Sequence, residues 1–515
     1  MLAALLLAAC SPVIAGQGSK RAGASPGLGT TAPSSGAPSP ATPTIQPITF
    51  VDCTNLLSLG SLPFPAGRRA KLTFFCGRLQ VPLDYADPTG KKITLEIIKV
   101  HDSDNTASTG SLLVNPGGPG GSGLDLVAGL SAQVSDSLLT HFDLVGFDPR
   151  GVGLSAPIEC TTNAQKDALN SSSPQILTAT GFALAKQQAQ SVAASCLSKY
   201  GATLADYNTV NTARDMDLIR QAVGDQQMNY LGFSYGTELG AQYAHLFPGR
   251  IRAFVLDGAV DPLTGPITSF ADQLKGFEGA FDQFAANCLT LPACSPLGNP
   301  RQVVYGIVRK AFQSPLPTGT SRRLTENLAL TGVLDALYSQ SQWPKLAQAL
   351  SSGQNGDGSG LLALADDYNQ RYADGTYSNI ADANLTISCN DSAPGPTDAT
   401  VRATAVAWAK EYPMFGLWAA PSLLSCQSWQ PVRTVPPLPT APTPATVLVI
   451  GNLHDPATPY QGAIDLTKTL GHARLLTWNG EGHTSYLQGS SCIDNDVNNY
   501  LISAALPAPN TTCPR

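Results

Sequence analysis

The chain has 515 residues, 43% of them hydrophobic and 13% charged, with 31 Lys and Arg against 37 Asp and Glu. That apolar share supports a large core and excludes wholesale disorder, and a net charge of -6 excludes a nucleic-acid binder, which needs clustered basic residues. The 48 Gly and 40 Pro follow no Gly-X-Y period, so a collagen is excluded too, and the 11 cysteines are an odd number.

Residues 1–10 open with an apolar run, Met1 to Ala9, that ends in small residues as a secretory signal does. The run is shorter than the roughly 20 residues needed to cross a bilayer. Leu7-Ala8-Ala9-Cys10 resembles the bacterial lipobox, which makes Cys10 the expected lipid acceptor. No Lys or Arg precedes the run, and an ordinary signal that happens to contain a Cys is the alternative. Residues 11–47 are Gly, Ser, Pro, Ala and Thr almost throughout. Such a composition cannot offset the entropy of chain ordering, so a flexible tether is expected, with a reach on the order of 35 Å. The expected location is outside the cytoplasm, either on the membrane through a lipid anchor or secreted.

Short apolar, β-branched runs follow at 93–100, 111–114, 142–147, 228–231, 252–256, 446–450 and 474–478, separated by helical patterns. Their apolarity is continuous, as in strands buried on both faces, and predicts an α/β fold with a mainly parallel central sheet and flanking helices. The rhythm breaks over 262–440, where helical patterns at 269–288, 328–340, 343–350 and 400–412 alternate with Pro- and Gly-rich loops. This span is expected to be a helical insertion before the penultimate strand, leaving 48–261 and 441–515 as the core. A smaller insertion is expected at 160–196.

Beyond Cys10 stand Cys53, Cys76, Cys160, Cys196, Cys288, Cys294, Cys389, Cys426, Cys492 and Cys513. No CxxC pair or Cys/His cluster has zinc spacing, so no metal site is expected. Connectivity does not follow from the count alone. The ten fall into neighbouring pairs, and five local bridges formed in an oxidising compartment are the expectation.

Tyr230-Leu231-Gly232-Phe233-Ser234-Tyr235-Gly236 is a strand end running into G-x-S-x-G and then an Ala/Leu-rich helix. The glycines permit a turn so tight that Ser234 is thrust out at a helix N-terminus, the geometry of a nucleophile. The same five-residue pattern at Gly23–Gly27 lacks both strand and helix and carries nothing. A nucleophilic Ser needs a base and an orienting acid, which follow it in the order Ser, Asp/Glu, His. His101 and His141 precede Ser234, His245 lies along the departing helix, His472 precedes its strand, and His454 leaves no separate acid before it. His483, in a Gly-rich loop after 474–478, is the candidate base, and Asp455, just past 446–450, is the candidate acid. The loop Asn115-Pro116-Gly117-Gly118-Pro119-Gly120-Gly121 follows a strand and would supply one oxyanion N–H, from Gly118, with Tyr235 supplying the other. It matches neither a dinucleotide fingerprint nor a P-loop.

Gly117-Gly118-Pro119-Gly120 before such an elbow is similar to the HGGPG loop of prolyl aminopeptidases, with Pro116 where their His stands. Residues 144–153, 232–240, 255–262, 454–459 and 492–494 together resemble the secreted tripeptidyl aminopeptidases of actinobacteria and their mycobacterial lipoprotein relatives. The resemblance runs from about residue 50 to the C-terminus. It implies an α/β-hydrolase fold with a helical cap between the sixth and seventh strands, no cofactor, and a Ser peptidase that releases short peptides from substrates with a free N-terminus. A substrate α-ammonium then calls for a carboxylate. Asp391, in a segment like the family's Cys-x-Asp cap motif, is the first candidate, and Glu238, one turn past Ser234, is the second. For both, a structural or solvated carboxylate is the alternative. Asp148 and Arg150 are expected to pair with each other beneath the site. A carboxylesterase is the competing activity, since the same groups cleave esters more readily than amides. A catalytically silent binding protein fits poorly with an intact Ser234, Asp455 and His483.

Overall fold

The computed structural model describes residues 47–55, 62–106, 108–290, 292–431 and 445–515. The expected signal segment with Cys10, and the tether as far as residue 46, lie outside the described residues. The main sheet has ten strands: β1 (Val51–Asp52), β2 (Leu72–Pro82), β3 (Lys92–Asp102), β4 (Gly110–Asn115), β5 (Phe142–Phe147), β6 (Met228–Phe233), β7 (Ile251–Asp257), β10 (Val447–His454), β11 (Ala473–Glu481) and β12 (Thr512–Cys513). A separate two-stranded hairpin is formed by β8 (Leu316–Pro317) and β9 (Arg323–Leu324). The strand order is β1-β2-β3-β5-β4-β6-β7-β10-β11-β12. β1, β2 and β3 enter antiparallel, and every pairing from β5 through β4 to β12 is parallel.

Period-two alternation explains why the parallel strands are apolar throughout. Leu113, Val145, Tyr230, Phe254, Leu256 and Val449 are buried in a cluster on one face, and Leu112, Val114, Leu144, Leu231, Val255 and Ile450 in a cluster on the other. All seven expected strands are present. β2 was not expected, because Arg78 and Gln80 are exposed on one face and break the apolar run. A strand buried on one face only carries that pattern.

Among the described residues the insertion between β7 and β10 contains the four expected helices and four more, Pro300–Gln313, Ser359–Tyr368, Ile380–Asp391 and the one-turn Gly416–Ala419. It precedes the last but one of the long strands, and the two-residue β12 adds an edge beyond them. Most of its apolar side chains form a third cluster, around Phe281, Phe284, Leu334, Leu346 and Phe415. The helix Ile380–Asp391 differs, since Ala383, Ile387 and Cys389 are buried in a cluster of the sheet. The five disulfides join Cys53–Cys76, Cys160–Cys196, Cys288–Cys294, Cys389–Cys426 and Cys492–Cys513, each to its sequence neighbour. Among the described residues no helix is long and apolar enough to cross a membrane.

The expected Asp148–Arg150 pair is not formed. Arg150 is fully buried and grips Asp215 in bidentate fashion at 2.8 and 2.7 Å, with carbonyls of Pro82, Leu83 and Asp206 taking its remaining N–H groups. Asp148 instead accepts from Ser122 Oγ at 2.6 Å and from the Leu154 N–H at 2.8 Å. A guanidinium has five donors, and Asp215 offers the planar two-oxygen match.

Candidate active site

Ser234 follows β6 directly, with φ 56° and ψ -127°, and the helix Tyr235–Leu246 starts at the next residue. A non-Gly residue held there stores strain of about 1–3 kcal/mol. Its surroundings impose that conformation. The Ser234 N–H donates to Asp257 O at 2.9 Å, and Ser234 O accepts from Thr237 Oγ1 at 2.6 Å. A Cβ at Gly232 would stand 2.4 Å from Gly236 O, and one at Gly236 would stand 2.9 Å from Asn115 O, so the turn excludes side chains on both sides of the Ser.

β11 ends at Glu481 and turns through Gly482, φ 104°, into His483. His483 Nδ1 lies 2.9 and 3.0 Å from the two oxygens of Asp455, which follows β10. The carboxylate also accepts the N–H groups of Ala457, Thr458 and Thr484 at 2.9, 2.8 and 3.0 Å. Thr458 Oγ1 completes the set, 3.1 Å from Asp455 Oδ2 and 3.2 Å from His483 Nδ1. With Nδ1 committed to Asp455, Nε2 is the ring nitrogen that can take a proton. The carboxyl of Asp455 and the ring of His483 are sealed from solvent.

Asp257 joins the two loops. Its carbonyl holds Ser234, its carboxylate accepts the N–H groups of Ser485 and Tyr486 at 3.0 and 2.8 Å, and a Cβ on the next residue, Gly258, would lie 3.2 Å from His483 Cε1. Complete burial pushes the Asp257 carboxyl up to about 6, although those two N–H groups favour its charge. Ser234 Oγ and His483 Nε2 are both buried and without a hydrogen-bond partner, so the bond between them is not made in this state. Such bonds are often long before substrate is bound.

The Gly-rich loop after β4 closes on the elbow. A Cβ at Gly117 would lie 2.4 Å from Phe233 O and 3.0 Å from Tyr235 N, and only Gly permits that approach. The Gly117 N–H is taken by Asn115 Oδ1 at 2.9 Å. Among the described residues nothing accepts from the N–H groups of Gly118 and Tyr235.

A cavity of about 530 Å³ lies between the large insertion and the helices of the small one. Two of its lining residues, Tyr338 and Asn384, touch the loops of the site, while Ser234 and His483 do not line it. The Tyr338 carbonyl accepts the His483 N–H at 2.7 Å, and its ring meets the imidazole edge-on at 5.6 Å. Apolar side chains, among them Phe270, Leu274, Phe277 and Leu385, make up much of the wall, and Asp382, paired with Lys166 at 3.1 Å, is the carboxylate in it. Asp391 and Glu238 do not line this cavity. Asp391 is buried, accepting from the Thr209 N–H at 3.1 Å and Thr209 Oγ1 at 2.7 Å, and Thr209 Oγ1 bonds in turn to the Tyr235 hydroxyl. Burial, with the nearby charge of Glu238, pushes the Asp391 carboxyl well above the ordinary range. Cys389–Cys426 and the bonds of Asn390 to Leu204 O and Tyr207 O draw the end of the helix that carries Asp391 inward, and Glu238 is buried on the helix Tyr235–Leu246 that leaves the elbow. Thr458, Tyr338 and Asn384 were not among the expected site residues. A Thr three residues past the Asp in a turn is the local sign that Thr458 leaves.

The alpha/beta hydrolase fold family matches residues 110–490. Over 487 residues the chain is 37% identical to the serine protease Hip1 of Mycobacterium tuberculosis (strain ATCC 25618 / H37Rv), covering 91% of each chain. It is 40% identical over 453 residues to carboxylesterase B of the same strain, with 85% of this chain and 86% of that one covered. Over 450 residues it is 32% identical to the tripeptidyl aminopeptidase of Streptomyces coelicolor, with 85% and 82% covered.

Proposed function

The chain belongs to the alpha/beta hydrolase fold family as an enzyme of the serine hydrolase and peptidase class, and on that premise we propose that it releases short, tripeptide-sized fragments from free N-termini. The observation that carries the reading is the Asp455–His483 pair held beside an elbow Ser beneath a helical insertion, in a chain similar over most of its length to a tripeptidyl aminopeptidase. Ser234 Oγ attacks the scissile carbonyl while His483 Nε2 takes its proton. Asp455 holds the imidazole by Nδ1 and stabilises the imidazolium that forms. The N–H groups of Gly118 and Tyr235 receive the negative charge that develops on the carbonyl oxygen. Collapse of the tetrahedral species breaks the C–N bond, and His483 returns the proton to the leaving amine. Water then hydrolyses the acyl-enzyme by the same route. A cavity of about 530 Å³ suits a ligand of a few residues. Its one lining carboxylate among the described residues, Asp382, is already held by Lys166 and Thr161, so a substrate α-ammonium would have to compete with Lys166 for it.

Carboxylesterase activity is the second reading, favoured by the 40% identity to carboxylesterase B. Chromogenic tripeptides with free and acetylated N-termini, run beside short-chain esters, separate the two. The peptidase reading requires strong preference for the free amine and loss of turnover in Ser234→Ala. Equal cleavage of blocked and free peptides sinks it, and ester turnover without amide turnover favours the esterase. An extracytoplasmic location is part of the same proposal, supported by five disulfides, which persist in oxidising compartments. Attachment through Cys10 predicts fatty-acid labelling that Cys10→Ala abolishes.

A further inference from the structure

The Gly-rich loop after β4 has few means of holding its own shape. Gly117, Gly118 and Gly120 have φ of 90°, 113° and 107°, and none carries a side chain that could be packed in place. From the core side it is anchored at Gly117, through Asn115 Oδ1 and the close contact with Phe233 and Tyr235, and by the Gly121 N–H on Gly117 O at 3.1 Å. The peptide units beyond Gly118 are held from the opposite direction. Asn384 Nδ2, on the insertion helix Ile380–Asp391, donates to Gly118 O and to Pro119 O, both at 3.1 Å. The same helix presses on the loop, for a Cβ at Gly120 would stand 2.9 Å from Ile380 O and 3.3 Å from Asn384 N.

The support behind Asn384 is firm at both ends. Before the helix, Asn379 accepts the Gly153 N–H at 2.9 Å and donates to Gly151 O at 2.7 Å and Ile158 O at 2.9 Å. Near its end, Asn390 donates to Leu204 O at 2.8 Å and Tyr207 O at 2.9 Å. A side chain on so constrained a helix can fix a loop that has no fixing groups of its own.

We infer that Asn384 is a positioning residue for the oxyanion hole: by gripping the Gly118 and Pro119 carbonyls it fixes the orientation of the Gly118 N–H toward Ser234. The inference rests on the proposed serine mechanism, and it gives the insertion a part in assembling the machinery beside forming the cavity. The Gly118 N–H belongs to the Gly117–Gly118 peptide, whose carbonyl takes the Gly121 N–H at 3.1 Å. Loss of the two Asn384 donors frees the peptides on either side of Pro119, and with them the Gly121 N–H that steadies that unit, so stabilisation of the oxyanion falls while ground-state binding in the cavity persists.

The test uses Asn384→Asp, which keeps shape and removes both donors, beside Asn384→Ala. For free tripeptide and for short-chain ester, kcat is expected to fall about 10- to 100-fold, up to the loss known for deleting one oxyanion donor, with KM within about threefold. Affinity for a trifluoromethyl ketone, whose adduct oxygen occupies the oxyanion position, should fall in step with kcat/KM, while inhibition by the product acid stays constant. An unchanged kcat overturns the inference. So does a fall in kcat that leaves ketone affinity unmoved, and so does collapse of the thermal transition in both variants, since each marks Asn384 as structural only. If Ser234→Ala keeps its activity, the underlying mechanism fails whatever Asn384 does. If esters alone are turned over, the peptidase reading fails while the ester arm still tests Asn384.

Discussion

The two loops beside Ser234 are held by opposite strategies. The base loop after β11 is tied to nearby strand ends: Asp455 takes His483 and the Thr484 N–H, and Asn452 donates to Gly482 O at 2.6 Å and accepts from the Gly480 N–H at 3.3 Å. The oxyanion loop, all backbone, draws its outer support from Asn384, 266 residues along the chain from Gly118. The first loop is therefore held by several side chains of neighbouring strand ends, whereas among the described residues the outer part of the second depends on the side chain of Asn384 alone. A side-chain base can be held through its own ring and carboxylate partner, whereas a backbone N–H can be aimed only by fixing the peptide that carries it.

Substitutions on the base side should break this comparison most severely. Asp455→Asn is expected to lower kcat by about 10⁴ by removing the acceptor that sets the tautomer, read by steady-state kinetics against an unchanged melting profile. Asn384→Asp comes next, with the smaller loss described above. Thr458→Val, which removes one of several ligands to Asp455 and His483, should cost about tenfold in kcat, the worth of one neutral hydrogen bond. A loss from Thr458→Val as large as that from Asp455→Asn would show that the supports of the base loop do not share its load. Asn452→Ala leaves Gly482 O without its donor and should lower stability by about 1–3 kcal/mol in urea titration, with a modest effect on kcat.

The smallest effect concerns Asp257, which joins the Ser234 elbow to the base loop. Its carboxyl is raised from 3.8 to about 6 by burial, so the fold prefers it protonated. Its contribution to stability is complete below the unfolded value and is lost as pH rises through about 6. The melting temperature of the wild type should therefore gain on that of Asp257→Asn as pH falls from about 7.5 to about 5. Parallel curves would mean the carboxyl is not perturbed.

What could be seen in the residues depended on the range over which the structure acts. The long parallel strands show themselves because burial on both faces writes a continuous apolar run, and β2 escapes because burial on one face does not. Ser234, Asp455 and His483 stand out because each follows a strand in the order that the chemistry needs, and the structure brings the last two together. Asp391 and Glu238 were visible as acids, but nothing in their spacing tells that neither lines the cavity, Asp391 drawn inward beside the Cys389–Cys426 bridge and Glu238 buried on the elbow helix. Arg150 was expected to take its nearest acid and instead reaches Asp215, 65 residues away. Asn384 offers no local sign at all, since its meaning lies in a loop far along the chain.

The pairing of every cysteine with its neighbour bears on how such a chain acquires its bonds. In a chain that emerges N-terminus first, each of the ten meets its native partner before the next pair appears, over separations of 23, 36, 6, 37 and 21 residues. Oxidation in order of arrival then yields the native set without reshuffling.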